Sequence, residues 1–412
     1  MYGGSMDRRG NVLFLCLPLL ALGIAAQQAP QSQPKSPEAK GSTSAAALLP
    51  NRPRFEFGGN AAEMPATFVQ NLVFLPVNVN QSKPSLFALD TASSATSIDP
   101  ARAAEIGVNT NRRLALILPG VLFPFDSLPA LARADLAAES GRPYEGTIGA
   151  DFLSRVVVEM DYNRQTVRVF DPAIYKYTGR GSVFGLTLSN GMPVIRAKMV
   201  TPHGKKVEAE FGINTSLIAG VVVSGKFSDA HKLFPTKKAT QGYDPQLAGG
   251  ESVSLFRLRN IDVGSWIAPD TVAELSRSKL AGTDDPKLAG VIGGAMLRRF
   301  TLVLDYPHQQ IIFEANSHLK DYDEEDKSGL ALIASGPGLK TFDIVHVVSG
   351  SPAAGAGIHA GDIIAGVSDE AAADMSLGSI RDMFRQVGHT YKILIQRGEE
   401  TKQVSIQMRR LL

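Results

Sequence analysis

Two short motifs combine polar side chains with a spacing that is suited to chemistry. In each motif, an apolar strand delivers one carboxyl or amide side chain into a turn of small residues. The first motif reads D-T-A-S at Asp90–Ser93 and follows the apolar run Leu86–Leu89. The second reads N-T-S-L at Asn214–Leu217 and follows Val207–Ile213. A carboxylate in such a turn can act on a bound water, or it can cap its own backbone.

Each motif is followed by a copy of one longer pattern, which indicates an internal duplication. The pattern is G-x-I-G, a short helix-like step, a strand, the pair D-Y, a polar turn and a second strand. The order is the same in both copies, although the insert between motif and pattern differs in length. The sequence therefore predicts two equivalent lobes. The two copies of the pattern lie at Gly146–Phe170 and Gly290–Phe313.

The motifs and their G-x-I-G partners resemble the pepsin/retropepsin family of aspartic peptidases, in a bacterial two-lobed form, over roughly Arg54–Leu319. The resemblance implies a cleft in which two carboxylates share one proton. One carboxylate then acts as a base on water, while the other donates to the substrate carbonyl. The resemblance places Asp90 at the first catalytic position and Asn214 at the second. It also implies that Thr91 and Thr215 cross-link the two loops.

Both motifs depart from the D-T-G signature of that family. Asn214 cannot titrate, so proton exchange between two carboxyls is lost, and general acid–base catalysis is typically worth about 10²–10⁴-fold. We therefore expect severe loss of activity, although a plain turn role for Asn214 is an alternative. Ala92 and Ser216 stand where the family has glycine, and we expect a Cβ at these positions to force a local shift.

Two segments are flap-like candidates. Leu114–Phe125 would turn at Pro119 and Gly120, and Ser252–Trp266 occupies the matching place in the second copy. The second segment includes the only tryptophan of the chain. Periodicity does not separate a flap from a buried hairpin, and core strands are the favoured interpretation.

Short β-type runs separated by Gly, Pro, Asn and Asp fill the chain from Arg54 to Leu319, which predicts a mainly β fold. We expect two β-barrel-like lobes related by a pseudo-dyad, at residues 54–180 and 181–320. An acidic linker at 321–328 would connect them to a small α+β domain. The principal predicted strands are Leu72–Val79, Leu86–Leu89, Leu114–Leu118, Val156–Met160, Val167–Phe170, Val194–Val200, Phe300–Leu304 and Ile311–Phe313.

Residues 329–412 carry a second resemblance, to PDZ domains of bacterial secreted proteins. The pattern S-P-A-x-x-A-G, an apolar residue, then x-x-G-D-x-I occupies Ser351–Ile364. The resemblance implies that an extended peptide binds by strand addition, with its terminal carboxylate held by backbone N–H groups of a loop. The residues that match this loop are Gly329, Leu330, Ala331 and Leu332, with Ala331 in place of the second glycine.

A helix is predicted to begin after Ser376, because serine is a favourable N-cap. Its apolar residues recur at helical spacing and would face one side. The implied peptide groove lies between this helix and Leu330–Ala334, although ordinary core packing explains the same apolar face. The apolar positions are Leu377, Ile380, Phe384 and Val387, and Leu377 and Ile380 are the predicted groove residues.

The N-terminus has the pattern of a secretory signal peptide. A charged segment precedes the apolar run Val12–Ala26, which is shorter than a bilayer span of about 20 residues. We predict a signal peptide at residues 1–26, a disordered linker at 27–53, and a periplasmic or extracellular location. A retained anchor is the alternative. Cys16, the only cysteine, lies in the segment that would be removed.

Composition narrows the functional classes. The 412-residue chain has 42 Lys and Arg against 40 Asp and Glu, so net charge does not favour nucleic acid or an anionic membrane. One cysteine excludes a disulfide framework, an iron–sulfur cluster and cysteine-ligated zinc. We predict no metal and no organic cofactor. The predicted partners are peptides or unfolded protein segments, including protein C-termini, with no nucleic acid and no membrane span after signal cleavage.

Three functions remain open. The favoured one is a catalytically impaired aspartic-peptidase-like protein that binds extended peptides. The second is an active endopeptidase that uses Asp90 with an unconventional partner or a second chain. The third is a scaffold in which only the PDZ-like unit binds. Whether the protein is an enzyme is therefore uncertain from its sequence.

Overall fold

Runs of β-branched and aromatic residues between turn residues form strands along most of the chain. A computed structural model describes residues 52–412 except 133, 235–239, 248 and 279–286. The predicted signal peptide and nearly all of the predicted linker lie outside the described residues. Within the described ranges the protein is mainly β, with a curled sheet in each half, so the predicted fold class is confirmed.

The first half forms a sheet around the D-T-A-S motif. Its strands are β1 (Arg54–Phe55), β2 (Ala61–Pro65), β3 (Thr67–Val69), β4 (Leu72–Val79), β5 (Ser85–Leu89), β6 (Ser97–Ile98), β7 (Leu114–Leu118), β8 (Val121–Phe125), β9 (Gly146–Ile148), β10 (Val157–Asp161) and β11 (Thr166–Phe170). The order in this sheet is β1-β8-β7-β4-β5-β9-β6, with β3 beside β4. Strands β2, β10 and β11 belong to a separate sheet.

The second half repeats this plan around the N-T-S-L motif. Its strands are β12 (Ser182–Gly185), β13 (Thr187–Ser189), β14 (Met192–Val200), β15 (Lys206–Ile213), β16 (Val221–Ser224), β17 (Thr240–Asp244), β18 (Glu251–Arg257), β19 (Asn260–Val263), β20 (Trp266–Pro269), β21 (Val272–Ser276), β22 (Gly290–Ile292), β23 (Phe300–Asp305) and β24 (Gln310–Ala315). The order is β17-β18-β21-β16-β22-β15-β14-β19-β20, with β13 beside β14.

The helices are short. They are α1 (Pro100–Glu105), α2 (Ala134–Ser140), α3 (Ala150–Leu153), α4 (Gly225–His231), α5 (Gly294–Leu297), α6 (Pro352–Gly355) and α7 (Leu377–Phe384), with 3-10 turns at Glu56–Gly58, Pro337–Leu339 and Ala372–Asp374. Across the described ranges, none of the helices combines the length and the apolarity that crossing a bilayer requires.

Strand registers show that the duplication is structural. The strand before each motif pairs in parallel with the G-x-I-G strand, with Leu89 opposite Ile148 in the first half and Ile213 opposite Ile292 in the second. The strand after each motif, β6 or β16, pairs antiparallel with the other edge of that G-x-I-G strand. The two polar motifs therefore leave equivalent positions of equivalent sheets.

A third sheet joins the two halves, in the order β12-β24-β23-β10-β11-β2. Strands β10 and β23 pair antiparallel at its centre, where Glu159 lies opposite Val303. The largest core cluster contains buried side chains from both halves, including Phe123, Phe152 and Phe300. Each half therefore completes its sheet and its core with the other.

The C-terminal unit has its own core. Its strands are β25 (Leu330–Ser335), β26 (Thr341–Val347), β27 (Ile363–Val367), β28 (Glu370–Ala371), β29 (Thr390–Arg397) and β30 (Glu400–Gln407), in the order β25-β26-β27-β29-β30 with β28 beside β27. Ser376 caps α7 by accepting from the Ser379 N–H at 3.0 Å, so the predicted N-cap is confirmed. Val387 was assigned wrongly to the buried helix face, because α7 ends at Phe384 and Val387 is 48% exposed.

The acidic segment 321–328 packs against the second half. Arg257 forms an ion pair with Glu325 at 2.5 Å and donates to the carbonyl of Asp323 at 2.7 Å. The Asp323 carboxylate accepts from the Val272 N–H at 3.0 Å. All the described residues belong to one compact unit, so this segment is a packed connection.

Candidate functional site

Asp90 is held rigidly at the end of β5. Its N–H donates to the carbonyl of Ile148 at 3.0 Å, and its side chain is buried, with 2% of the residue exposed. The Ala92 N–H donates to Oδ1 of Asp90 at 2.9 Å. The carboxylate therefore caps its own turn through one oxygen, as the sequence allowed. It also lines a cleft.

Asn214 occupies the equivalent place at the end of β15. Its N–H donates to the carbonyl of Ile292 at 3.0 Å, and the residue is 4% exposed. Its Oδ1 accepts from both the N–H and the Oγ of Ser216, each at 2.8 Å. The amide is therefore fixed by its own loop in the way that a carboxylate would be.

Thr91 and Thr215 cross-link the two loops symmetrically. Thr91 Oγ1 donates to the carbonyl of Ile213 at 2.6 Å and accepts from the Thr215 N–H at 3.1 Å. Thr215 Oγ1 donates to the carbonyl of Leu89 at 2.7 Å and accepts from the Thr91 N–H at 3.1 Å. Both threonines are fully buried. This reciprocal bonding fixes Asp90 and Asn214 in one shared frame.

The expected steric problem after each threonine does not arise. In the described backbone, neither Ala92 nor Ser216 has a left-handed φ, so a Cβ brings no conformational strain there. The Ala92 methyl packs against a cluster that contains Met192 and Leu217, and the Ser216 hydroxyl bonds to Asn214. The described loops therefore hold both side chains without a left-handed backbone conformation.

The backbone of the motif loop instead lies close to the second glycine of each G-x-I-G pattern. A Cβ on Gly149 would lie 2.6 Å from the backbone of Ala95, and one on Gly293 would lie 2.5 Å from the carbonyl of Ala219. The following residue bonds back to the motif, since the Ala150 N–H donates to Ser93 O at 2.9 Å. These glycines therefore let each G-x-I-G loop close against its motif.

The two motifs line one cleft of about 330 Å³. It contains Asp90 and Asn214 together with Ser216, and α2 contributes Asp135 and Glu139. The sequence did not point to α2, because its seven residues carry no motif and its position depends on tertiary packing.

Gln246 also lines the cleft, although it belongs to no sequence motif. Its Oε1 accepts from the Ile218 N–H at 2.6 Å, and its Nε2 donates to the Ser216 carbonyl at 3.0 Å. It belongs to the loop between β17 and β18. A glutamine in a polar loop gave no sequence signal for this bridge.

The flap-like candidates lie elsewhere. The predicted turn at Gly120 joins β7 and β8, but both strands are mainly buried and the turn packs against Ala62. Ser252–Trp266 forms parts of β18 to β20, and Trp266 Nε1 donates to the Phe313 carbonyl at 3.0 Å. Among the described residues, neither segment contributes to the lining of the cleft, and the burial of β7 and β8 agrees with core strands for the first candidate.

The predicted groove residues of the C-terminal unit come together. Gly329 has φ +79°, and a Cβ there would collide with Ser351, which explains the glycine. Leu330 and Leu332 on β25 are buried beside Leu377 and Ile380 on α7, in the core of the unit. Ala331 points away from this core and is half-buried.

The groove between β25 and α7 contacts the first half of the chain. Helix α2 lies alongside β25, and a Cβ on Gly141, just after α2, would lie 2.7 Å from Cβ of Leu377. Arg381 on α7 donates to the carbonyls of Glu139 and Leu332, each at 2.7 Å. Burial lowers the pKa of Arg381 to about 10, so the guanidinium stays charged at neutral pH.

A second cavity, of about 230 Å³, lies where the C-terminal unit meets both halves. Asp244 on β17 and Glu274 on β21 both lie in the wall of this cavity. Burial, reinforced by the charge of Asp244, raises the pKa of Glu274 well above its usual range, and burial also raises the pKa of Asp244. The pair therefore retains a proton above the usual carboxyl range.

The arrangement offers one titratable carboxyl and one amide on cross-linked loops. An amide nitrogen donates hydrogen bonds but neither takes up nor releases a proton. The pair can therefore orient a water or a peptide carbonyl, while the proton exchange of an acid pair is absent. Among the residues that the structure describes, no group of three or more His, Cys, Asp or Glu is arranged to hold a metal ion.

Comparisons with known proteins give no family match, and no curated protein matches the chain. Among solved structures, an aspartic proteinase from Irpex lacteus aligns with 12% identity and a TM-score of 0.39, over 63% of this chain and 99% of that one. A retropepsin-like aspartic protease from Rickettsia conorii aligns with 15% identity and a TM-score of 0.25, over 34% of this chain and 96% of that one.

A photosystem II D1 C-terminal processing protease aligns with 22% identity and a TM-score of 0.19, over 21% of this chain and 23% of that one. At these TM-scores the alignments do not assign the chain to a family.

Proposed function

We propose that this chain is an aspartic-peptidase-like protein with an incomplete catalytic pair, which binds extended peptides in the cleft between its two halves. The observation that carries the proposal is the pairing of Asp90 with Asn214 in a frame that is otherwise symmetrical. The threonine cross-links, the capping bonds and the G-x-I-G contacts are present on both sides. Of the two titratable groups that the resemblance implies, the second is replaced by the amide of Asn214.

The local chemistry supports a preserved cleft. Ser216 offers its N–H and its hydroxyl to Oδ1 of Asn214, and both donors would stabilise a carboxylate at the same place. An Asn214→Asp exchange is isosteric, so the loop needs no rearrangement. Two carboxyls in this frame would share one proton and regain the acid–base exchange.

The experiment measures cleavage and binding of casein, an unfolded protein probe, across roughly pH 3–7. The chain is prepared without residues 1–26 as wild type, Asn214→Asp, Asp90→Ala and the double variant. We expect wild type to bind without cleaving. Asn214→Asp should gain cleavage by about 10²-fold or more over wild type at acidic pH. The double variant should lose that gain.

Asn111→Asp is the matched control, because it makes the same substitution in an exposed turn. It should bind casein as wild type does and should not cleave. Cleavage by wild type that Asp90→Ala abolishes would show an active endopeptidase instead. Wild type that neither binds nor cleaves casein, together with an inactive Asn214→Asp, would refute the proposed cleft function.

Two further parts of the proposal concern location and the C-terminal unit. We propose export through the N-terminal segment, which the charged and apolar pattern supports, and PDZ-like peptide binding by residues 329–412. Expression of the full chain in a bacterium, followed by mass determination of the periplasmic form, tests export. Absence of the protein from the periplasm would contradict export, and a periplasmic form whose mass includes residues 1–26 would show a retained N-terminal segment.

A further inference from the structure

Helix α2 belongs to two sites at once. Asp135, Leu136 and Glu139 line the cleft that contains Asp90. The same helix lies alongside β25, the strand to which a peptide would add in a PDZ-like unit. A displacement of α2 would therefore change both sites.

A hydrogen-bonded side chain connects α2 to the groove strand. One guanidinium, that of Arg381, donates at 2.7 Å to the carbonyl of Leu332 on β25 and at 2.7 Å to the carbonyl of Glu139 on α2. It also reaches Oε1 of Gln70 at 3.3 Å. Arg381 thus joins the groove strand, the end of α2 and a turn of the first half. A peptide added to β25 would have to displace α2 from this position.

The attachment of α2 to the rest of the chain is small. Leu136 is its buried apolar anchor, in a cluster with Leu72, Phe74 and Ala88. Its other buried residues are Glu139 and Ser140, and Ala134 and Asp135 are exposed. Gly141 ends the helix with φ +64°, a conformation that glycine adopts without strain. A seven-residue helix with one buried apolar side chain can move as a unit about Gly141 once its polar contacts, including the bond from Arg381, are exchanged for others.

A bound peptide can replace the hydrogen-bond acceptor that Arg381 loses when α2 is displaced. Arg381 is buried and charged, so it needs acceptors wherever α2 lies. An extended peptide on β25 presents backbone carbonyls along the groove, and these would replace the carbonyl of Glu139. Helix α2 and a bound peptide would therefore each supply Arg381 with a backbone carbonyl as acceptor.

We propose that α2 is a lid held by the C-terminal unit, and that an extended peptide which adds to β25 displaces α2 and opens the cleft. This inference rests on the proposed peptide-binding function. It assigns the C-terminal unit a regulatory role, in which occupancy of one peptide site increases access to the other.

Hydrogen exchange of the α2 amides in the chain lacking residues 1–26, with and without casein, is the first measurement. Displacement predicts that casein increases exchange in α2 by about 5-fold or more, while β29 and β30 stay protected. A fixed wall of the cleft would instead become more protected when casein binds. Protection of α2 by casein therefore overturns the proposal.

Arg381→Lys and Arg381→Ala are the test variants. Lysine keeps the charge but cannot bridge two carbonyls with a planar fork. We expect both variants to exchange faster in α2 and to bind casein more tightly at the cleft, by about 5-fold or more. Arg385→Ala is the matched control, because Arg385 lies about one turn after Arg381, at the C-cap of α7, and donates to Asp382 of that helix.

The readouts separate the two proposals. If neither wild type nor variants bind casein, the proposed function fails, and α2 exchange in Arg381→Lys still decides whether Arg381 holds a lid. Faster exchange confined to α2 supports the lid. Unchanged α2 exchange, or an increase shared equally by β29 and β30, overturns it, because the latter reports unfolding of the C-terminal unit.

Discussion

The reciprocal bonds of Thr91 and Thr215 explain how an altered pair of motifs keeps a symmetrical frame. Each hydroxyl satisfies one buried carbonyl and one buried N–H from the other loop. Leaving such groups unpartnered costs about 1–3 kcal/mol each, so the cross-link stabilises the fold whether or not the site reacts. The loss of one carboxyl at Asn214 removes chemistry without removing this stabilisation.

The acid pair of Asp244 and Glu274 gives a pH prediction at the residue scale. Both pKa values are raised in the folded state, so the proton they share stabilises the fold at low pH, and that contribution is lost as pH rises through the raised values. Glutamine at position 274 cannot ionise, so the stability of Glu274→Gln does not fall with rising pH through this group. We expect the difference in unfolding free energy, variant minus wild type, to increase between pH 5 and pH 8, as measured by urea denaturation.

Glu251→Gln on the neighbouring strand is the contrasting control. Burial acts against ionisation there, but hydrogen bonds from Ser278 and Ser276 outweigh it and lower the pKa of Glu251. Its stabilisation is present above the usual carboxyl pKa and is lost as pH falls through the lowered value. Glu251→Gln should therefore be less stable than wild type at neutral pH, and this difference in unfolding free energy should disappear at acidic pH. A Glu274→Gln difference that shrinks with rising pH would contradict the assignment of the shared proton.

At the scale of elements, the G-x-I-G loops allow a test of close backbone approach. Gly149→Ala and Gly293→Ala each place a Cβ against a backbone carbonyl of the motif loop. We expect each to lower the free energy of unfolding by about 1–3 kcal/mol, since backbone cannot move aside as a flexible side chain does. Thermal and urea denaturation measure the effect.

Gly355→Ala is the matched substitution at an open position. It lies in α6, and a Cβ there would meet nothing within 4 Å. It should stabilise the protein by about 0.4–1 kcal/mol, because alanine restricts the unfolded chain. Equal effects of Gly149→Ala and Gly355→Ala would show that the G-x-I-G loop can relax around a methyl group.

Element identity was predictable where local pattern decides it. The β7 and β8 strands and their turn at Gly120 follow from two short, continuous apolar runs and the turn residues between them. Whether that hairpin covers a cleft was not predictable, because a buried hairpin and a flap share the same period. Val387 shows the same limit, since helical spacing continued after α7 had ended at Phe384.

At the scale of the molecule, the shared sheet predicts that the halves depend on each other. Strand β10 of the first half pairs with β23 of the second, and the threonine cross-link joins the motif loops. Fragments 52–180 and 181–412 expressed separately should therefore lack cooperative unfolding, because each exposes an open sheet edge and part of a common core. Circular dichroism with thermal denaturation measures this.

Mixing the two fragments should restore the cooperative transition, since the missing partners are then supplied in trans. A single fragment that unfolds cooperatively by itself would contradict the interdependence. The C-terminal unit has a separate core cluster, so any residual order in the longer fragment is expected at β29 and β30.

The amino-acid sequence by itself determined the duplication, the strands, the capping residue Ser376 and the positions of Asp90 and Asn214. These features are local, since each depends on a period, a turn residue or a motif within a short stretch of chain. The tertiary structure alone decided that α2 lines the cleft, that Gln246 bridges to Ser216, and that Arg381 joins α2 to β25. Those contacts link residues far apart in the chain, and their geometry is set by packing of whole sheets, which no local pattern encodes.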